Sequence, residues 1–404
     1  MGGKWSGLIA EACRYDAEGL WDIEIADGKI VNVEPSVPGR AVLAGEMLRA
    51  KGALLLPGLV ETHIHLDKAF LSNRMPRPAG SVAEAIAMTA ELKSSYTPED
   101  ITARSELALD RASRFGVTRL RAHVEIDPIV GLMSLESALD IRRCYADKIG
   151  IQLVAFPQEG IFSRPGTDRL LREAMRSGVD AVGGVPYNDR DSREHLEFVF
   201  RLAEEWGKPI DLHLDFSDDP GTMAIADVVE LTKSFGMQNR VAVGHLTALG
   251  SAEPETAQRL ANDMAEAGIS VFALPATDLY LNGRGDAARP RRGLAPVRTL
   301  LDAGVNVCFG TNNMRNAFTP FGTGDPLDIG LLLAQTAYMG SREDAAVVLG
   351  MCTERAAEAL RMTDYGIKAG LDAELVLIEG ASSPSDALYD RPRERKVWRN
   401  GIKL

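Results

Sequence analysis

Most of this chain is built from short apolar runs that alternate with longer segments of helical period. From about residue 50 onward, each apolar run has the length of a buried strand, and the segments between runs repeat apolar residues at helix spacing. Such alternation is typical of repeated β–α units around a parallel sheet. The strand candidates are residues 53–65, 118–126, 151–160, 180–187, 209–216, 240–249, 269–278 and 305–313. These eight units predict an α/β fold of the (β/α)8 TIM barrel type, whose usual size of about 250 residues leaves room here for insertions.

The two ends of the chain have a different pattern. Apolar and polar residues alternate there, and the dipeptides Asp27-Gly28 and Asn400-Gly401 are two-residue hairpin signals. The strand candidates at the ends are residues 21–35, 371–380 and 394–404. We therefore predict that both ends form one small flanking β-sandwich beside the barrel. The predicted domains are residues 1–55 plus 366–404 for the sandwich and 56–365 for the barrel.

Net charge and hydropathy limit the partners that this chain can have. Lys and Arg number 45 against 57 Asp and Glu, so the formal net charge is −12, which repels nucleic-acid backbones and anionic lipids. No apolar run reaches the roughly 18 residues of a membrane span, and the first residues lack a basic start followed by an apolar core. We expect a cytoplasmic protein that binds neither nucleic acid nor membranes.

Five of the six histidines fall at or near the carboxyl ends of predicted strands. They are His63, His65, His123, His213 and His245. Active sites of (β/α)8 barrels lie at that face, so these side chains should converge although they are far apart in sequence. The sixth, His195, lies in a helical segment and is predicted to be on the surface.

The pair His63-x-His65 is the local pattern that points to a metal. Residues two apart in a strand face the same side, about 7 Å apart along the chain at ~3.3 Å per residue. Two neutral imidazoles placed in this way suit a divalent ion. A third histidine from another strand, with a carboxylate or water, would complete a catalytic site that has an open position. The histidine pattern therefore predicts a metal or catalytic site.

Around these histidines the sequence resembles the amidohydrolase superfamily, in particular its cytosine deaminase and N-isopropylammelide isopropylaminohydrolase branch. The segment PGLVETHIHLDKAF is similar to the metal-binding first strand of that superfamily. The similar segments that follow, in order along nearly the whole chain, are VAFPQEGI (154–161), HLDFSDDP (213–220), VAVGHLTAL (241–249), RPRRGLAPVRTLLDAGVNVCFG (289–310), TPFGTGD (319–325) and DYGIKAGLDAELVLI (364–378). The resemblance implies a metal-dependent (β/α)8 barrel with a flanking β-sandwich.

The resemblance also implies roles for individual residues. His63, His65 and His213 correspond to the histidines that bind one divalent ion, zinc or iron. His245 corresponds to the residue that orients or deprotonates the attacking water, and Gln158 to the residue that grips the ring amide of the pyrimidine. Members of this family are often homo-oligomers and act on small molecules, so we expect a homo-oligomer with a small heterocyclic substrate.

Two carboxylates that the family uses are replaced in this chain. Asn312, within Thr311-Asn312-Asn313, stands where the family has an Asp that binds the metal and takes a proton from water. An amide oxygen can bind a metal but cannot act as a base. Phe216 stands where the deaminases have a Glu that shuttles protons. Because each loss removes general acid–base help of about 10²–10⁴-fold, we do not predict a true cytosine deaminase.

Other groups near the predicted metal are candidates to replace these carboxylates. A neutral Asn312 leaves bound water more acidic, which suits His245 as the base, and Asp278 and Asp215 are further candidate bases. Phe216 offers an aromatic face to a planar substrate. The catalytic candidates are His245, Asn312 and Asp278, and the substrate-binding candidates are Gln158, Phe216, His123 and Asn313.

The sequence therefore predicts a metal-dependent hydrolase that cleaves a carbon–nitrogen bond in a small cyclic amide, amidine or triazine-like compound by attack of metal-activated water. Three alternatives remain open at this point. The chain is a catalytically silent relative that binds a heterocycle, or Asn312 is an engineered replacement of the base, or the same scaffold carries a non-hydrolytic reaction.

Overall fold

The structure is a computed structural model that describes residues 4–37, 40 and 45–404. Its strands form two eight-stranded sheets. The strands of the N-terminal part are β1 (Gly7–Arg14), β2 (Ala17–Ala26), β3 (Lys29–Pro35), β4 (Glu46–Arg49) and β5 (Leu54–Pro57). The central strands are β6 (Leu59–Ile64), β7 (Val117–Glu125), β8 (Gly150–Phe156), β9 (Ala181–Gly184), β10 (Ile210–Leu214), β11 (Val241–His245), β12 (Ser270–Ala273) and β13 (Val307–Phe309). The C-terminal strands are β14 (Leu375–Ile378), β15 (Arg395–Arg399) and β16 (Ile402–Lys403).

The central sheet is a closed parallel barrel. Its strands follow one another in sequence order from β6 to β13. The chain after β13 then pairs back onto β6, because the Asn312 N–H donates to the His63 carbonyl at 2.7 Å and the His65 N–H donates to the Asn312 carbonyl at 2.9 Å. The predicted (β/α)8 barrel is confirmed.

Helices connect the strands of the barrel and follow its last strand. They are α1 (Val82–Lys93), α2 (Pro98–Arg114), α3 (Met133–Cys144), α4 (Thr167–Arg176), α5 (Ser192–Trp206), α6 (Ile225–Ser234), α7 (Pro254–Glu266), α8 (Pro275–Leu281), α9 (Val297–Asp302), α10 (Pro326–Thr336), α11 (Arg342–Gly350), α12 (Glu354–Ala359) and α13 (Pro384–Tyr389). In α5, Asp191 caps the first turn, Gly207 ends the helix at φ +63°, and Leu196, Val199 and Phe200 are buried. None of the helices in the described ranges is both long and apolar enough to span a bilayer.

Both ends of the chain contribute to the second sheet. Its strand order is β16-β15-β14-β5-β1-β2-β3, and β4 pairs with β1. Both predicted hairpin turns are confirmed, since Asp27 and Gly28 have φ values of +50° and +78°, and Asn400 and Gly401 have +51° and +74°. The flanking sheet thus has the predicted origin, whereas the exact domain boundaries stay a prediction.

The first predicted barrel strand, residues 53–65, is in fact two strands. Strand β5 pairs with β14 and β1 in the flanking sheet, and β6 starts the barrel. Gly58 separates them, and a Cβ at this position would collide with the side chain of Thr118. The predicted strand 269–278 is also too long, because Pro275 begins α8 directly after β12. Strand β4 was not predicted.

A buried ion pair joins the flanking sheet to the barrel. Arg395 on β15 and Asp325, which caps α10, have fully buried side chains, and Arg395 Nη2 lies 2.7 Å from Asp325 Oδ2. Arg393 Nη1 reaches the same oxygen at 2.6 Å. Such a pair is costly to break, because the remaining charge stays buried without compensation.

We therefore predict that Asp325→Ala lowers the free energy of unfolding by about 3–5 kcal/mol. Asp140→Ala, which removes the largely exposed partner of Arg143, is the control and should change it by less than about 0.5 kcal/mol. Urea unfolding of both variants and the unchanged protein measures the difference. Equal effects in the two variants would contradict the assigned role of Asp325.

Candidate active site

Three of the predicted metal ligands meet at the carboxyl face of the barrel. His63 is on β6, His65 directly follows that strand, and His213 is on β10. The Nε2 atom of His213 lies 3.1 Å from His63 Nε2 and 3.0 Å from His65 Nε2. All three side chains are buried. The barrel thus brings together histidines that are 150 and 148 positions apart in the chain.

The chemistry of this donor set fits a divalent cation. Burial, together with the neighbouring histidines, holds the pKa of His63, His65 and His213 well below the usual range, which favours the neutral form of the rings. One ring nitrogen either donates or accepts, so His213 Nε2 cannot satisfy both neighbouring nitrogens. Neutral imidazole nitrogens that converge in this way are typical ligands of zinc or iron.

Asn312 lies beside these histidines. Its backbone pairs with His63 and His65 at the point of barrel closure, and its φ of +58° is in the left-handed region that Asn tolerates. Its Oδ1 atom is buried and has no hydrogen-bond partner within the described chain. Because Asn312 lines the same cavity as His65 and His213, this oxygen is a candidate for a further ligand.

His245 and Asp278 form a buried pair next to the three histidines. His245 ends β11 and Asp278 lies in the first turn of α8, and Nδ1 of the imidazole is 2.6 Å from the carboxylate Oδ1. Burial raises the pKa of Asp278 even though the contact with His245 lowers it. The ring of Phe216 stacks on the imidazole with centroids 3.8 Å apart and an interplanar angle of 10°. Asp278 and Phe216 together fix the orientation of the His245 ring.

The cavity in front of these groups is narrow and partly aromatic. Its lining residues are His65, Lys68, Gln158, Tyr187, His213, Phe216, His245, Asn312, Asn313 and Phe318. The structure therefore places the candidates Gln158, Phe216 and Asn313 at the cavity. Asn313 is held there by Asn316, whose Nδ2 donates to Asn313 Oδ1 at 2.7 Å.

His123 occupies a different place from the one expected of a substrate-binding residue. Its ring stacks behind His63 with centroids 3.9 Å apart, and its Nε2 lies 3.3 Å from Asp211 Oδ1. It does not line the cavity. The structure therefore makes His123 a packing partner of the metal-ligand candidate His63.

Two further predictions from the sequence are corrected. His195 is buried, not on the surface, because α5 turns this side chain toward β9, where its Nε2 accepts the Val185 N–H at 2.9 Å and its Nδ1 lies 2.8 Å from Asp189. Asp215 is not placed as a general base. Each oxygen of its carboxylate accepts a backbone N–H group, from Ala224 at 2.7 Å and from Ile225 at 3.2 Å.

Several residues of the site were missed by the sequence analysis. Tyr187 and Phe318 line the cavity, and they lie between the barrel strands and helices, where no periodic pattern singles out a side chain. Glu61 lies under the site and accepts the Thr311 hydroxyl at 2.5 Å. Burial raises the pKa of Glu61 to about 7, although its hydrogen bonds lower it. Glu61 could have been predicted from its position two residues before His63, because residues two apart in a strand face the same side.

A closed β/α barrel with an H-x-H pair at the end of its first strand and further histidines on the fifth and sixth has the arrangement expected of a metal-dependent hydrolase. Residues 47–401 match the model of the Amidohydrolase family, and the chain belongs to this family. Members of the family hydrolyse carbon–nitrogen bonds with the help of a metal, and this chain is such a hydrolase.

Individual relatives align over almost the entire chain. It is 28% identical to N-isopropylammelide isopropyl amidohydrolase of Pseudomonas sp. strain ADP, with 98% of this chain and 96% of the relative covered. The crystal structure of 5-methylcytosine deaminase from Klebsiella pneumoniae matches with a TM-score of 0.93 at 30% identity, covering 98% and 97% of the two chains. The structure of N-isopropylammelide isopropylaminohydrolase from Burkholderia multivorans matches with a TM-score of 0.85 at 32% identity, covering 99% and 98%.

We predict about one divalent ion per chain in protein purified without chelator. His213→Ala should lose most of it, because the Nε2 atom that approaches both other histidines is removed. Asn312→Asp should retain the ion against a higher chelator concentration, because a carboxylate adds negative charge beside it. Elemental analysis after dialysis against graded chelator measures both effects.

Asp215→Asn is the matched control for the metal measurement, because Asp215 is buried at the same face but its oxygens serve backbone groups. Its metal content should equal that of the unchanged protein. Full metal content in His213→Ala would contradict the assigned ligand set.

Proposed function

We propose that this amidohydrolase removes an amino or substituted amino group from a small nitrogen heterocycle by hydrolysis, with the His245–Asp278 pair handling the proton. The observation that carries the proposal is the 2.6 Å contact between these two buried side chains at the cavity. It supplies an acid–base group in a site where Asn312 and Phe216 stand in place of two carboxylates.

Three histidines and the side-chain amide of Asn312 are the groups that would bind the metal ion. A divalent cation held by His63, His65 and His213 would act as a Lewis acid and would lower the pKa of water to near neutrality. Asn312 offers an oxygen to this centre but cannot take a proton. Proton transfer therefore falls to a side chain outside the ligand set.

His245 is placed to carry that proton. Its Nδ1 faces Asp278, so the ring keeps Nε2 as the atom that accepts a proton from the attacking water. The Asp278 carboxylate stabilises the imidazolium that forms. When the water oxygen has bonded to the ring carbon and the carbon–nitrogen bond breaks, the same imidazolium returns its proton to the leaving nitrogen. The products are an oxo heterocycle and ammonia or an amine.

The cavity walls support a planar heterocycle as substrate. Phe216, Phe318 and Tyr187 give it aromatic faces, and Gln158 adds a single amide that can bind a ring edge. Phe216 stacks on His245, so it orients the base. These features favour a planar heterocycle beside His245, and because the cavity of about 10 Å³ is the size of a single water, its walls must move apart to admit the ring.

We predict that His245→Gln and Asp278→Asn each lower kcat by about 10²–10⁴-fold with little change in KM, because they remove proton transfer and not substrate contacts. Release of ammonia or amine from aminopyrimidines and N-alkylaminotriazines, followed in the metal-loaded protein, measures the effect. Asp215→Asn is the matched control and should stay within about threefold of the unchanged protein.

Replacement of both carboxylates favours one other function, that of a catalytically silent protein that binds a heterocycle. This alternative predicts that heterocycles raise the melting temperature of the metal-loaded protein without any product. Such a result, or full turnover by His245→Gln, would overturn the proposed reaction.

A further inference from the structure

Lys68 is a cavity-lining cation to which the proposed reaction gives no task. It follows β6 and its side chain is 1% exposed. Its Nζ donates to Gln158 Oε1 at 2.9 Å and to Glu125 Oε1 at 3.1 Å. Lys68 and Gln158 both line the cavity, so this hydrogen bond lies at the wall that a substrate would touch.

The surroundings of Lys68 hold its ammonium group in place. Glu125 is fully buried, and its second oxygen lies 2.9 Å from Lys93 Nζ, so the carboxylate is fixed between two lysines. The rings of Phe156 and Phe318 have their centroids 5.1 and 4.9 Å from Lys68 Nζ, within the range of cation–π attraction. A charge with these partners has little freedom to rotate away from Gln158.

This contact determines which way the Gln158 amide points. An ammonium group donates hydrogen bonds and accepts none, so it must meet the carbonyl oxygen of the amide and not the amino group. The Gln158 Nε2 atom has no hydrogen-bond partner among the residues that the structure describes. The backbone of Gln158 is fixed as well, since Asn188 Nδ2 donates to its carbonyl at 2.7 Å.

We propose that Lys68 is a positioning residue that sets the hydrogen-bond polarity of the substrate site, that is, whether Gln158 offers a donor or an acceptor to the ligand. By engaging Gln158 Oε1, it leaves the amide NH2 group to the ligand. The site then selects heterocycles that present an acceptor to Gln158, a carbonyl oxygen or an unprotonated ring nitrogen, and discriminates against rings with an amino group there. The ligand class rests on the proposed function.

The physical basis of this selection is the cost of unpaired donors. An amino group opposite the Gln158 NH2 group places donor against donor, and both lose hydrogen bonds to water without replacement. Sites that hydrogen-bond one specific group discriminate strongly against analogues that lack it.

Cytosine and 2,4-diaminopyrimidine form a matched pair of probes. They share the 4-amino group and differ at C2, which carries a carbonyl oxygen or an amino group, and at N1, which carries a proton in cytosine and a lone pair in the diamino ring. We expect the metal-loaded protein to prefer cytosine by about tenfold or more in Kd, measured by calorimetry at mildly alkaline pH where both rings are uncharged. Where turnover occurs, the preference should lie in KM and not in kcat.

Two variants test the assigned orientation. Gln158→Glu keeps a partner for Lys68 but has only acceptors, so it should reverse the preference toward the diamino ring. Lys68→Met leaves Glu125 paired with Lys93 and frees the amide to rotate, so the ratio of the two affinities should fall to within about threefold. A purely structural role of Lys68 would weaken both rings equally and leave the ratio unchanged.

The outcomes separate this inference from the proposed function. If the unchanged protein hydrolyses amino heterocycles but binds both probes equally, or if the ratio survives in Lys68→Met, the polarity assignment is overturned and the reaction stands. If no aminopyrimidine or N-alkylaminotriazine yields product while the ratios shift as expected, the reaction fails and the assignment stands. If Lys68→Met does not fold, failure of Gln158→Glu to reverse the preference overturns the assignment.

Discussion

The closure of the barrel at Asn312 is the constraint on which the active site depends. Its backbone hydrogen bonds to His63 and His65 join the last strand to the first, and they fix the positions of two metal-ligand candidates at the same time. Glu61 reinforces the join from below by accepting the Thr311 hydroxyl. Substitution of the Asn312 side chain can therefore change the chemistry of the centre while the backbone that holds the histidines stays paired.

Burial has opposite consequences on the two sides of the cavity. On the histidine side it lowers the pKa of His63, His65 and His213, which favours neutral rings with nitrogen lone pairs for a cation. On the opposite side buried charges persist because they are paired, as in the contacts of Lys68 and Lys93 with Glu125. The histidine side of the cavity is thus suited to bind a cation. The opposite side already contains the cationic side chain of Lys68, paired with Glu125.

The sequence predicted the barrel and the converging histidines because both follow from periodicity and topology. Strand ends meet at one face of a closed parallel sheet, so His63 and His213 needed only correct strand assignments. The roles of Lys68 and His195 depend on contacts with Gln158 and Asp189 across separate loops, for which no local pattern exists. The domain boundaries, the identity of the ion, homo-oligomerisation and the cytoplasmic location stay predictions from the sequence.

In the proposed mechanism, the residues Asn312 and Phe216 are consistent with one another once the His245–Asp278 pair is considered. A carboxylate at 312 would be both ligand and base, whereas the amide of Asn312 would leave more positive charge on a cation held there and could not act as the base. The buried Asp278 supplies the missing negative charge through the His245 ring, one hydrogen bond away from the cation site. Phe216 holds that ring in place by stacking, a task that a flexible Glu cannot perform. In the proposed mechanism the metal ligand and the base are therefore separate residues. The acidity of the water and the strength of the base can then be adjusted independently.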